Sequence, residues 1–115
     1  MEMRRWVDEP VERLSDTIGR QLLNTDRMTI ARVLLGEGAV VPEHRHEHEQ
    51  VATVLAGRVR FVVDGEEREV AAGESVVLRP NVPHAVEALE ESVVLDVFSP
   101  VRDDWLRGDD AYLRG

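Results

Sequence analysis

From residue 28 onward the chain alternates apolar and polar positions in short runs broken by turn residues. Residues 28–35 are rich in aliphatic and β-branched side chains and stop at Gly36-Glu37-Gly38. Residues 50–56 form a second run, ended by Gly57. In residues 58–63, Val59, Phe61 and Val63 alternate with Arg58, Arg60 and Val62, the period of two that gives a strand one apolar face. Asp64-Gly65 then supplies a tight hairpin turn, and residues 66–70 return along it. Further runs follow at 75–78, 82–89 and 92–98. At least seven short strands with no helical period between them predict an all-β fold, an antiparallel jelly-roll sandwich or barrel.

The ends of the chain are patterned differently. Residues 1–26 are polar with scattered apolar points, and predict an N-terminal arm with a short strand around 20–23 that could be exchanged with a neighbour. The barrel itself is expected over 27–107, with one helical turn near 103–107, and residues 108–115 as a C-terminal tail. One domain accounts for all 115 residues.

Composition removes several functions. All 14 basic residues are arginines, so no Schiff-base lysine, phosphate-loop lysine or lysine base is present. A net charge of −9 argues against nucleic acid and anionic membrane surfaces as partners. A small anionic ligand stays compatible, because a metal ion and one or two arginines reverse the field inside a cleft. Cysteine is absent, and no apolar stretch nears the roughly 20 residues of a membrane span. With no secretory pattern at the start, a cytoplasmic location is expected.

The histidines carry the chemistry. Three of the four, His44, His46 and His48, fall within five residues, and the fourth is His84. Residues two apart on a strand face the same side, so His44 and His46 can both point inward. Gln50 starts the next strand and can bring its amide oxygen alongside, and closure of a barrel can bring in His84. His48 falls in the intervening turn and is expected to face solvent. Glu49 replaces Gln50 as the candidate if that turn is one residue shorter. Neutral imidazoles with an amide oxygen suit one divalent transition metal ion, Zn, Ni, Fe or Mn.

Gly38-x5-His44-x-His46-x3-Gln50-x6-Gly57 resembles the first motif of the cupins, with Gln50 where the commoner pattern has Glu. Gly73 to His84 resembles the second, with Arg79 in place of the usual Pro and Asn81 in place of the usual Gly. Asn tolerates the left-handed backbone that Gly would supply there. The segment from His84 through Asp96-Val-Phe98-Ser-Pro-Val-Arg102 is similar to the pectin-degradation cupins of the KdgF kind. The resemblance implies a single cupin barrel with metal ligands His44, His46, Gln50 and His84. It also implies linearisation of 4,5-unsaturated uronates, a ring opening and tautomerisation to a keto acid without redox change.

Asp96 interrupts the apolar run 93–98. It either lies on an outward face with Val94 and Phe98 or shares the cavity with them, where burial would raise its pKa and suit it to proton transfer. Arg102 either forks onto a substrate carboxylate or pairs with Asp103 or Asp104. In the catalytic reading Asp96 and Arg102 do the work, with Phe98, Arg60 and Arg79 lining the mouth. Two other classes stay open: a metal-dependent oxygenase or isomerase acting on another small molecule, and a sugar- or effector-binding module without turnover. A homodimer, paired through sheet edges and the N-terminal arm, is also expected.

Overall fold

The computed structural model describes all 115 residues. Ten strands run β1 (Glu12–Arg13), β2 (Ile18–Asn24), β3 (Thr29–Leu35), β4 (Val40–His44), β5 (Glu49–Ala56), β6 (Arg58–Val63), β7 (Glu66–Ala71), β8 (Ser75–Leu78), β9 (His84–Ala88) and β10 (Ser92–Ser99). A single-turn helix, α1 (Asp103–Leu106), follows. The strands form two antiparallel sheets, a six-stranded one ordered β1-β2-β3-β10-β5-β8 and a four-stranded one ordered β4-β9-β6-β7. Their inner faces enclose the core, as the alternation along the chain requires.

The alternation reads directly as burial. On β6, Val59 and Phe61 are buried, and on β10 the buried residues are Ser92, Val94, Asp96 and Phe98. The Asp64-Gly65 turn places both residues at positive φ, 49° and 82°, the geometry that makes a two-residue hairpin twist with its strands. Asn81 also adopts positive φ, 65°, so it does take the conformation a glycine would have supplied. The N-terminal segment contributes more than a short strand: β2 pairs with β3 over seven residues, from Ile18↔Leu35 to Asn24↔Thr29.

Gly57 links β5 to β6 in a single residue at φ +87°. Its Cα faces Ser92, whose hydroxyl accepts from the Arg58 N–H at 3.1 Å and donates to the Glu90 carbonyl at 2.8 Å. A Cβ at position 57 would collide with the Ser92 hydroxyl and the Glu91 carbonyl. Gly57→Ala therefore combines a forbidden φ with a backbone clash, and is expected to lower stability by more than about 2 kcal/mol in urea titration. An unchanged midpoint would mean that the crossover yields freely.

Candidate metal centre

The two sheets bring different parts of the site. Register pairs His44 of β4 with His84 of β9 on the four-stranded sheet. Gln50, on β5 of the opposite sheet, lies across from Phe98 of β10, with Asp96 two residues further along that strand. His46 is not on a strand. β4 ends at His44 after a register shift, and His46 sits in the loop that leads to β5. That loop is tied to the second motif by the Asn81 N–H, which donates to the His46 carbonyl at 2.8 Å.

One ligand atom each from His44, His46 and His84 lies within 4.8 Å of the others. Every one of these rings is oriented by a nearby backbone carbonyl. Nδ1 of His44 is 2.9 Å from the Pro42 carbonyl, Nδ1 of His46 is 3.0 Å from that of His48, and Nδ1 of His84 is 2.9 Å from that of Val82. A carbonyl only accepts, so each Nδ1 carries the proton and each Nε2 presents a lone pair, the tautomer a metal needs. Burial keeps the rings neutral: it pushes His44 and His46 down to about 4, with His84 and Arg102 adding to the effect, and it lowers His84 as well.

The fourth donor completes the argument for a cation. The Gln50 Nε2 donates to Asp96 Oδ1 at 2.9 Å, which turns its Oε1 toward His46 Nε2, 3.1 Å away. The two facing atoms are then both acceptors, an arrangement that a shared cation satisfies. Three imidazole nitrogens and an amide oxygen fit a divalent transition metal.

Asp96 is buried in the cavity wall, and burial pushes its carboxyl up to about 6 against the opposing pull of the Gln50 hydrogen bond and the Arg102 charge. Its register neighbours on both sides are alanines, Ala31 and Ala52, so small side chains flank the carboxylate. Phe98 is buried on the same wall with its ring 5.8 Å from that of His46.

Four expectations are corrected. His48 is buried, because the loop folds inward and sets its Nε2 3.9 Å from Asp104. Arg60 points away from the cavity: its neighbours Val59 and Phe61 take the inner face, and it pairs with Glu67 and Glu87 outside. Arg79 is exposed beyond the end of β8 and does not line the cavity. Arg102 takes the second of its two alternatives, the pair with Asp104, and the correction is that it does so buried instead of at the surface. It is 2% exposed, forked onto Asp104 at 3.0 and 2.8 Å and bonded to the Tyr112 hydroxyl at 2.9 Å. Its guanidinium stacks on Phe98 and Trp105, 4.6 and 4.1 Å from the ring centres.

Sequence reasoning missed three neighbours. Tyr112 stacks on His44 with ring centres 4.5 Å apart, and Trp105 donates to the Tyr112 hydroxyl at 3.0 Å. Arg20 lines the same cavity, buried, 3.0 Å from Asp110, with its Nε and Nη1 unpartnered. A signal for Arg20 was present: Ile18, Arg20 and Leu22 share one parity, which places an arginine on an apolar inner face. Nothing around Tyr112 marked it.

The pattern of the cupin domain family matches residues 31–98. The chain belongs to the cupin family. This cupin is 38% identical over 110 residues to the pectin degradation protein KdgF of Dickeya dadantii (strain 3937), covering 90% of this chain and 100% of the relative. The structure of KdgF from Halomonas sp. superposes with a TM-score of 0.82 at 31% identity, over 86% of this cupin and 93% of that chain. An RmlC-like cupin from Shewanella frigidimarina NCIMB 400 superposes with a TM-score of 0.86 at 26% identity, covering 91% and 96%.

Replacing both His46 and His84 by Ala removes two of the three imidazoles and is expected to abolish stoichiometric metal binding, read by elemental analysis of the purified protein. Full retention of metal in that variant would refute the ligand set.

Proposed function

We propose that this cupin linearises 4,5-unsaturated uronates, the sugar acids released by pectin and alginate lyases. The reading is carried by the Gln50 amide, which joins the metal-facing side of the site to Asp96 through one hydrogen bond. It is supported by similarity to the pectin degradation protein KdgF over nearly the whole chain.

The substrate is a cyclic enol ether that carries a hemiacetal at C1. Linearisation removes the proton of the C1 hydroxyl, forms the C1 carbonyl and breaks the bond from C1 to the ring oxygen. The ring oxygen is left as an enol at C5, and a proton delivered to C4 converts it to the ketone. The net change moves one proton from oxygen to carbon, so no oxidant, reductant or water is consumed. A divalent metal on His44, His46, Gln50 and His84 would act as a Lewis acid toward the substrate oxygens.

Asp96 is the group suited to carry the proton. Its carboxyl titrates near 6, so both of its protonation states are accessible near neutral pH. Gln50 holds one carboxylate oxygen, and the other is left without a protein hydrogen bond. Phe98 and the flanking alanines supply an apolar wall against which a sugar ring can lie. Arg102, held by Asp104, Tyr112 and the two aromatic rings, acts on this chemistry as a fixed positive charge.

Asp96→Asn keeps the acceptor that Gln50 needs and is nearly isosteric, so fold and metal content should persist. The loss of enol-ether ultraviolet absorbance should nevertheless slow by roughly 100-fold or more. An equally fast Asn variant would remove Asp96 from the proton path. If the wild-type protein accelerates no unsaturated uronate, the substrate class falls instead.

A further inference from the structure

Arg20 reaches the cavity from β2, a strand that carries no part of either cupin motif. On the inner face of the six-stranded sheet β2 lies two strands from β10. Arg20 pairs with Val33 and Val33 with Val94, while Leu22 pairs with Ala31 and Ala31 with Asp96. Two strand spacings of about 4.8 Å and one two-residue step of about 6.6 Å set the backbones of Arg20 and Asp96 about 12 Å apart. Both residues line the same cavity, together with His84 and Trp105. The Trp105 ring fixes the Arg20 guanidinium, whose carbon is 4.6 Å from the ring centre.

The hydrogen bonds of Arg20 are incomplete. The residue is 3% exposed. Its Nη2 donates to Asp110 Oδ2 at 3.0 Å and to Glu12 Oε1 at 3.3 Å, but Nε and Nη1 meet no acceptor. Asp110 has little left to offer, because Arg114 forks onto both of its oxygens at 2.9 and 3.1 Å. Buried donors of a cation are costly to leave empty, and the cavity is a place from which an acceptor can come. Arg102, the other arginine of the lining, spends its Nε–Nη2 edge on the Asp104 fork. Arg20 is the cation with donors to spare.

The charge of the lining points the same way. Of the chain's 23 acidic residues only Asp96 lines the cavity, against two arginines. Asp104 and Asp110, which pair with those arginines, lie outside the lining. A chain of net charge −9 thus presents a cationic interior to a ligand that enters.

We propose that Arg20 determines specificity: it binds the carboxylate of the ligand through Nε or Nη1 and selects sugar acids over neutral sugars. A carboxylate supplies what Arg20 lacks, an anionic oxygen for a planar N–H donor. The kind of ligand rests on the uronate reading above. In a 4,5-unsaturated uronate the carboxylate is carried on C5, next to the C4 that takes the proton. A grip on that carboxylate from β2 orients C4 with respect to Asp96 on β10. Arg20 then makes the contact, and Arg102 contributes charge from a fixed position.

Calorimetric titration of the full chain with galacturonate, a uronate that has no enol ether to react, and with its methyl ester tests the contact apart from turnover. The wild type should bind the acid about 10-fold or more tightly than the ester, the scale of a hydrogen bond to a charged group. Arg20→Gln should bring the acid down to the level of the ester, and Arg20→Lys, which keeps the charge, should recover part of the difference. In turnover of an unsaturated uronate Arg20→Gln should raise KM by about 10-fold or more, with a smaller effect on kcat. A crystal structure of the wild type with galacturonate needs no variant, and should place the carboxylate within hydrogen-bonding distance of Nε or Nη1 of Arg20. A wild type that binds acid and ester alike or binds neither, an equal loss of both in Arg20→Gln, or a carboxylate seated only on a metal ion or on Arg102 overturns the proposal. Acid selectivity through Arg20 without turnover of any unsaturated uronate removes the reaction and leaves this site standing. Turnover without that selectivity does the reverse.

Discussion

Gln50 sits between two groups that could not both tolerate a charged neighbour. Its donor edge meets the Asp96 carboxylate and its acceptor edge meets the His46 lone pair. A glutamate at that position, the commoner cupin choice, would set a second carboxylate against Asp96 at hydrogen-bonding distance. Two carboxylates so close cannot both ionise, and one would hold a proton far above the usual range. The neutral amide removes that conflict and still presents an oxygen to a metal. Gln50 and Asp96 thus form a coupled pair: the substitution in the first motif is intelligible only from a residue 46 positions later in the chain.

The three imidazoles of the candidate ligand set are fixed by short-range geometry. His44 and His84 each bond a carbonyl two residues earlier, and His46 one two residues later. Each ring is therefore oriented by its own local backbone, and the barrel has only to bring three such units together. Direct register pairing of His44 with His84 does so on one sheet, and the Asn81-to-His46 backbone bond joins the loops of the two motifs. Burial then keeps the imidazoles neutral, each with its Nδ1 proton and a lone pair on Nε2.

Legibility followed the range of the interaction. The period-two runs and the Asp64-Gly65 turn are local, so strands β5 to β10 could be read from the chain alone. Parity tied Asp96 to Val94 and Phe98 but left their face open between outward and inward, and the burial of all three places them inside. Arg60 deceived because its strand has arginines on one parity, and only packing shows that this parity faces water. His48 shares the parity of His44 and His46, but a loop has no parity, and its burial depends on Asp104 and on segments beyond β10. Arg20 was overlooked because weak patterning before residue 28 hid a full strand, β2, which pairs with β3 over seven residues and with the short β1 on its other side.

Arg102 shows how far the site extends past the barrel. A guanidinium buried to 2% exposure needs compensation, and Asp104 and Tyr112 supply it at Nε and Nη2 while two aromatic rings stack on its faces. Its charge disfavours protonation of His44, His46 and His84, and it opposes the burial that lifts Asp96. The carboxyl of Asp96, pushed up to about 6, reflects burial that raises it against the Gln50 hydrogen bond and then the Arg102 charge, which lower it. That cation is held by residues 104, 105 and 112, which belong to neither cupin motif. The C-terminal segment therefore adds a fixed positive charge to the effect of burial at a candidate centre whose proposed ligands all lie elsewhere, and sequence motifs that name only those residues cannot convey it.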